Sequence, residues 1–263
     1  KNPHVLNRSP CGSSSGSGAA VASGIVAAAI GTETNGSIIC PSTMNGIVGF
    51  KPTVGLLSQK HIIPISSTQD TAGPMTLTVE GAAIMMDAMT DNDGSYVSGL
   101  DKIVPQNTTI GILNFAKGNN FGVKNNFDKA REELKAKGFD FVEIESWEPD
   151  EGFFEAGYKV LKYEFKSTLN NYLSTTNPDV EVRSLKDLIE FNKKDFRELE
   201  IFDQSIFLAS EKLEDLNSED YKNSLELILN ATRKNGIDKL MEQYDVDFLT
   251  TPSAAPTFLI DHM

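Results

Sequence analysis

Two corners rich in serine and glycine lie near the beginning of the chain. One reads GSSSGSG over residues 12–18, and the other reads GTETNGSIICP over residues 31–41. A serine hydroxyl attacks a carbonyl carbon when a nearby group accepts its proton, and a tight turn can direct backbone N–H groups at the oxyanion that forms. These corners therefore predict acyl-transfer chemistry, although any single serine here can also be a helix cap or a loop residue.

The first corner alone fits the G-x-S-x-G motif of an α/β-hydrolase, in which Ser14 would be the nucleophile. The small residues that follow fit the helix that this motif requires. The preceding residues 4–10 read HVLNRSP, a short, polar segment interrupted by proline, and the downstream histidines are limited to His61 and His262. Both features disfavour this interpretation.

Taken together and in order, the motifs between residues 9 and 89 resemble the amidase signature family. Besides the two corners, the sequence contains Pro41, then GIVGFKPT at 46–53 and QDTAGPM at 69–75. The segment 247–256 is a weaker match to the D-x-L-x-x-P motif of the family. The form TNGSIICP is most similar to the peptide-amidase branch.

The resemblance implies a Ser–Ser–Lys triad in place of Ser–His–Asp. Ser37 would be the nucleophile, and Ser13, held by a non-proline cis peptide bond, would relay its proton to a neutral lysine. Ser14 would support this network by hydrogen bonding. The lysine of the family lies upstream of the first corner, and no residue of this sequence matches it. We therefore expect the central part of a longer enzyme, inactive alone and prone to self-association into homo-oligomers through exposed apolar edges.

The turn before Ser37 predicts an oxyanion hole. Successive N–H groups of Thr34, Asn35 and Gly36 could point at one position and form a small anion-binding nest. Asn35 stands where many members of the family have glycine, and asparagine tolerates unusual φ angles better than other non-glycine residues.

Three further polar residues are assigned structural roles. Lys51 is a tempting base, but it belongs to the KPT motif downstream of both corners. Asp70 is predicted to hold a turn before Gly73 and Pro74, with substrate binding as the alternative. His61 is predicted to be a loop residue.

The elements that must position these residues alternate between helices and strands. In the first part, small residues predict a buried helix over 16–29, a strand over 47–50 and a helix over 79–89 capped by Thr78. A strand at 109–113, a helix at 127–136 and a strand at 139–144 have the βαβ pattern. Further helices are predicted at 153–173, 185–192, 195–209 and 220–243, and a last strand at 247–252.

This alternation predicts an α/β fold, a mixed β-sheet flanked by helices on both faces and incomplete at both ends. The composition changes near residue 100, close to a linker-like segment at 91–95. We interpret 1–100 as the catalytic core segment. Residues 101–263 would be the helix-rich remainder of the same domain, lining the substrate channel.

Composition and charge limit the partners. The net charge of −13 weighs against a nucleic-acid partner, and no apolar run approaches the ~18 residues of a membrane span. Cys11 and Cys40 have no zinc spacing, and two reduced, buried cysteines are favoured over a bond between them. A signal peptide would lie outside a sequence that opens at Lys1, so localisation stays open, with the cytoplasm favoured.

The resemblance therefore implies an enzyme that converts a carboxamide, a C-terminal peptide amide or another small amide, to carboxylate and ammonia. It implies no metal and no organic cofactor. Two other functions stay open. The chain could belong to the ammonia-producing component of a tRNA-dependent amidotransferase, or to a non-catalytic module that keeps the scaffold.

Overall fold

The computed structural model describes residues 1–90 and 94–253, apart from the side chains of Phe196 and Glu198. Residues 91–93 of the predicted linker, the end of the 247–256 motif and His262 lie outside the described residues.

The chain forms two compact units. The first comprises Lys1–Ser58, Thr71–Pro149 and Thr232–Met263, and the second comprises Gln59–Asp70 and Asp150–Ala231. The first unit continues through residue 100, so the change in composition there is not a boundary between the units. The functional roles assigned to 1–100 and 101–263 stay predictions.

The first unit contains a small antiparallel sheet that carries both serine corners. Its strands are β1 (Ala28–Glu33), β2 (Val48–Gly49) and β3 (Thr71–Thr76), in the order β1-β3-β2. β3 pairs with the whole length of β1 and is buried throughout. Close packing requires Gly73 in this strand, because a Cβ there would lie 2.1 Å from the carbonyl oxygen of Phe50.

The predicted helix over 16–29 is wrong in its second half. Helix α1 (Ser15–Ala22) ends where Gly24 adopts a φ of +69°, which redirects the chain. Residues from Ala28 onward form β1 instead. Pairing with β3 overrides the preference of alanine for helix, because tertiary contacts outweigh intrinsic propensity.

Two further helices of this unit follow the sequence closely. Helix α2 (Ile39–Asn45) comes directly after the second corner, and α3 (Val79–Met89) has the predicted bounds. The Thr78 hydroxyl accepts a hydrogen bond from Gly81 N at 3.0 Å, which confirms the predicted cap. A short helix α4 (Ser95–Gly99) follows.

The second sheet of this unit is parallel. It is built from β4 (Thr109–Leu113), β5 (Asp140–Ile144) and β6 (Phe248–Thr250), in the order β5-β4-β6, with α5 (Phe121–Ala136) joining β4 to β5. The predicted βαβ unit is therefore confirmed. Buried Leu113, Ile144 and Leu240 form the core next to this sheet. Helix α5 begins earlier than predicted because the Asn120 side chain caps it, accepting from Val123 N at 3.1 Å.

The second unit is helical. Its helices are α6 (Phe153–Ser174), α7 (Leu185–Lys194), α8 (Phe196–Ile201), α9 (Ser205–Glu211) and α10 (Glu219–Leu229). The chain then continues through a π-helical segment, Asn230–Ile237, into α11 (Asp238–Tyr244), with a kink where Gly236 adopts a non-helical conformation. The single helix predicted over 195–209 is interrupted, because the Asp203 carboxylate accepts from Ser205 N at 2.9 Å and starts a new helix there.

A buried carboxylate ties the segment Gln59–Asp70 to the helices of the second unit. Glu164 on α6 accepts hydrogen bonds from Ser66 Oγ at 2.5 Å and from Thr68 N at 3.0 Å. The hydroxyl of Tyr221 on α10 donates to the same carboxylate at 2.7 Å. Burial, and then this hydrogen bond, raises the pKa of Tyr221, so its proton stays available to Glu164.

These elements confirm the predicted α/β class, with one antiparallel and one parallel sheet and many helices. Where the prediction had a single mixed sheet, the described residues form these two separate three-stranded sheets. Across the described ranges, each helix is too short or too polar to cross a bilayer.

Candidate active site

The two serine corners meet in the first unit. Ser14 N donates a hydrogen bond to the carbonyl oxygen of Ser37 at 3.2 Å. The non-proline cis peptide bond predicted for the first corner is present between Gly12 and Ser13. Ser13 is exposed and Ser37 is half-buried. The hydrogen bond from Ser14 N shows that the fold brings together the two segments that carry the predicted nucleophile and relay.

Ser14 is engaged with the backbone of β1. Its hydroxyl lies 3.1 Å from both the carbonyl oxygen and the N–H of Thr32, donating to the first and accepting from the second. A serine bonded on both sides in this way supports the loop. This contact disfavours Ser14 as the nucleophile of a G-x-S-x-G motif and agrees with the supporting role predicted for it.

The turn between β1 and α2 presents free backbone donors. Gly36 adopts a φ of +79°, and Thr34 and Gly36 are buried while Asn35 is exposed. Within the described part of the chain, no hydrogen bond occupies the N–H groups of Asn35, Gly36 and Ser37. Such a run of free N–H groups before a helix can bind an anion.

A buried carboxylate fixes this turn from the inside. Glu33, at the end of β1, accepts hydrogen bonds from Ile38 N at 2.6 Å and from Ile39 N at 2.9 Å, which caps the first turn of α2. Lys51 Nζ lies 3.8 Å from the other Glu33 oxygen and donates to the Thr34 carbonyl at 3.3 Å. The pair therefore holds both ends of the segment that contains Ser37.

Glu33 is the main residue of the corner that the sequence interpretation did not single out. The signal for this role in the sequence is an acidic residue directly before a turn that leads into a helix, because carboxylates stabilise helix N-termini. The contacts of the Lys51 ammonium group with Glu33 and the Thr34 carbonyl favour the structural role predicted for it.

Replacing Lys51 by methionine would leave the Glu33 carboxylate buried without its cation. We expect Lys51→Met to lower the free energy of unfolding by about 3–5 kcal/mol, as measured by urea denaturation. Lys102→Met, at an exposed position, is the matched control and should change stability little. A Lys51→Met protein that stays as stable as the wild type but has lost all turnover would identify Lys51 as a base and refute this role.

The two cysteines are bonded, so the prediction that both are reduced is wrong. Cys11 and Cys40 form a disulfide, with their Cα atoms 5.9 Å apart. Cys11 precedes the Gly12–Ser13 bond, and Cys40 lies in the first turn of α2. The disulfide therefore joins the two corners covalently, a proximity that results from the fold and is not visible in the spacing of the cysteines.

Asp70 and His61 lie in the second unit. The Asp70 carboxylate accepts from Ile65 N at 2.7 Å and from Ser66 N at 2.9 Å, so it holds a turn as predicted. His61 lies in a loop, as predicted, with a φ of +68°.

The motifs and the fold together define a class of protein. The amidase family model matches residues 1–263, so the chain belongs to the amidase family. The resemblance drawn from the two corners and the motifs around them is confirmed.

Individual relatives are similar to most of the chain. The native peptide amidase of Stenotrophomonas maltophilia superposes with a TM-score of 0.87 at 33% identity, over 100% of this chain and 59% of that structure. A probable amidase of Arabidopsis thaliana is 33% identical over 95% of this chain and 51% of its own length. A glutamyl-tRNA(Gln) amidotransferase component of Coxiella burnetii is 36% identical over 65% of this chain and 38% of its own length. The chain thus spans about half the length of the first two proteins.

Proposed function

We propose that the protein containing this chain hydrolyses carboxamides to carboxylate and ammonia through an acyl-enzyme on Ser37. The observation that carries the proposal is the corner at Ser37, where free N–H groups of Asn35 and Gly36 precede a half-buried serine. Glu33 and the contact from Ser14 N hold this corner in place.

The chemistry follows from these positions. Ser37 Oγ attacks the carboxamide carbon, and its proton passes through the Ser13 hydroxyl to a base, a neutral lysine in the family. Negative charge develops on the carbonyl oxygen, where the N–H groups of Asn35 and Gly36 would stabilise it. The C–N bond then breaks as the nitrogen takes the proton from the base, and it leaves as ammonia. Water hydrolyses the acyl-enzyme, releases the carboxylate and returns the proton to Ser37.

The favoured substrate is a C-terminal peptide amide. The TNGSIICP corner supports this choice, and so does the overall likeness to a peptide amidase. Small aliphatic or aryl amides are the alternative, since any carboxamide could present its carbonyl group to the corner.

A trapping experiment on the full-length protein tests the proposal. With a peptide amide as substrate, we expect release of ammonia, and addition of hydroxylamine should divert the acyl-enzyme to a peptide hydroxamate detectable by mass spectrometry. Ammonia without any hydroxamate would point to direct attack by water. Neither product from peptide, aliphatic or aryl amides would refute the proposal and favour a non-catalytic module.

The second candidate function is that of the ammonia-producing component of a tRNA-dependent amidotransferase. The likeness to the Coxiella burnetii protein favours it, whereas the net charge of −13 weighs against contact with tRNA phosphates. Copurification with partner proteins and glutamine-dependent amidation of a charged tRNA would identify this function.

A further inference from the structure

The disulfide between Cys11 and Cys40 lies close in the sequence to both proposed catalytic serines. Cys11 is two residues before Ser13, and Cys40 is three residues after Ser37. The proposed chemistry needs the hydroxyls of these serines within hydrogen-bond reach of each other, and it makes no use of the cysteines. A covalent link at this place can therefore act on the reaction through the position of Ser13.

The corner that carries Ser37 is held by bonds that do not depend on the disulfide. Glu33 caps the first turn of α2 with its carboxylate. Cys40 N donates to the Gly36 carbonyl oxygen at 2.8 Å, a backbone bond that leaves the cysteine side chain out. The turn and its free N–H groups should therefore keep their form when the disulfide opens.

Two further hydrogen bonds border the segment of residues 11–13. Before it, the Pro10 carbonyl oxygen accepts from Nδ2 of the buried Asn45 at 3.0 Å, at the end of α2. After it, Ser14 N donates to the Ser37 carbonyl oxygen. Neither bond involves a cysteine, so both corners stay adjacent in the reduced protein. The two thiols can then be oxidised again, which a reversible switch requires.

Between these borders, the disulfide is the link from residues 11–13 to α2. Among the described residues, the hydrogen bonds of this segment stay within residues 9–15. Cys11 has a φ of +59°, in the left-handed region, which is costly for residues other than glycine and persists where the surrounding structure imposes it. Reduction removes the covalent restraint, so Cys11 can relax and displace Ser13.

The bond can be opened by thiol–disulfide exchange. Both cysteines are half-buried, so a small dithiol in solution can approach them. One thiolate of the dithiol attacks a sulfur, the S–S bond breaks, and a mixed disulfide forms. The second thiol of the reagent then attacks that mixed disulfide. Cys11 and Cys40 are left as two thiols and the reagent as a cyclic disulfide, so two electrons and two protons pass to the protein.

We propose that the Cys11–Cys40 disulfide is a redox switch of the proposed amide hydrolysis. The oxidised protein is the active form, and reduction by a dithiol slows it because Ser13 leaves its relay position. The proposal rests on the proposed function and specifies a regulation of the same site.

Turnover of the full-length protein in its two redox forms tests the switch. With acetyl-Phe amide as substrate and dithiothreitol as the dithiol, we expect kcat to fall about 100-fold, the effect of displacing a catalytic group by about 1 Å. Removal of dithiothreitol and reoxidation should restore it. Alkylation of free thiols and mass spectrometry report the state of Cys11 and Cys40. A fully reduced protein that keeps the kcat of the oxidised form would overturn the proposal.

A protein with both Cys11→Ser and Cys40→Ser is the matched control for the reagent. It should have the low kcat of the reduced wild type and should not respond to dithiothreitol. A further response would assign the effect to other groups and refute the switch. The comparison of the wild type with itself remains decisive if this variant does not fold, with circular dichroism confirming that the reduced wild type is folded.

Reduction of Ser13→Ala separates a positioning role from a purely stabilising one. Dithiothreitol should cause little further loss in this variant, because the hydroxyl that reduction displaces is already absent and the two effects are not additive. A bond that only stabilises the fold would lower the melting temperature on reduction and leave kcat of the folded protein unchanged. Another 100-fold loss in Ser13→Ala would show that reduction acts elsewhere, and the assigned role would be wrong.

Hydrogen–deuterium exchange keeps the test independent of turnover. Reduction should speed amide exchange within residues 11–13 and leave exchange within residues 37–40 nearly unchanged. If neither redox form hydrolyses an amide but exchange follows this pattern, the proposed function fails and the control of the Ser13 loop by the disulfide stands. If hydrolysis proceeds equally in both forms, only the switch fails.

Discussion

Ser37→Ala in the full-length protein is expected to reduce amide hydrolysis by about 10⁴-fold or more while leaving the protein folded. The variant removes the oxygen that would carry the acyl group, whereas the turn keeps its contacts to Glu33 and Ser14 through the backbone. Ammonia release and circular dichroism measure the two effects. A fluorophosphonate probe should label the wild-type peptide that contains Ser37 and should not label the variant.

Thr43→Ala is the matched control, because Thr43 is exposed on the helix that follows the corner. It should retain wild-type turnover and labelling. Labelling at Ser14 in the wild type would support the G-x-S-x-G interpretation, in spite of the two contacts of the Ser14 hydroxyl to Thr32.

The sequence predicts those elements whose signals are local. The helix over 79–89 carries both its apolar spacing and its Thr78 cap within a dozen residues, and its bounds are correct. The β4-α5-β5 unit is likewise correct, because a strand, helix and strand in close succession have one usual arrangement, a right-handed parallel crossover. The motifs of the two corners indicated the family for the same reason, since each motif lies within a short segment.

The sequence does not predict features that depend on long-range contacts. The sequence does not predict β3, which contains Pro74, and proline normally argues against a central strand. The last two residues of the predicted first helix, Ala28 and Ala29, begin β1 and pair with β3. The sequence within 16–29 contains no signal for that pairing. The bond between Cys11 and Cys40 also depends on the meeting of the two corners.

The same distinction applies to the candidate site. The positions of Ser13, Ser14 and Ser37 can be read from motifs in the sequence. The hydrogen bond of Glu33 to the turn and its ion pair with Lys51 form only in the folded β1–α2 corner. In the second unit, Glu164 on α6 bonds Ser66 and Thr68, which are about a hundred residues away in the sequence. No local pattern predicts that contact.

Ser13→Ala is expected to lower kcat by about 10³-fold with little loss of stability. The Ser13 side chain is exposed and contributes little to packing, so its removal should affect proton transfer and leave the core intact. Without the relay, turnover should depend more steeply on hydroxide, and the residual activity should keep rising at alkaline pH where that of the wild type has levelled. The fluorophosphonate should still label Ser37, but more slowly. Ser146→Ala, at an exposed serine of the same unit, is the control and should match the wild type in all three measurements. If Ser13→Ala keeps wild-type kcat and pH dependence, the base must reach Ser37 without Ser13, and the Ser–Ser–Lys arrangement does not apply to this protein.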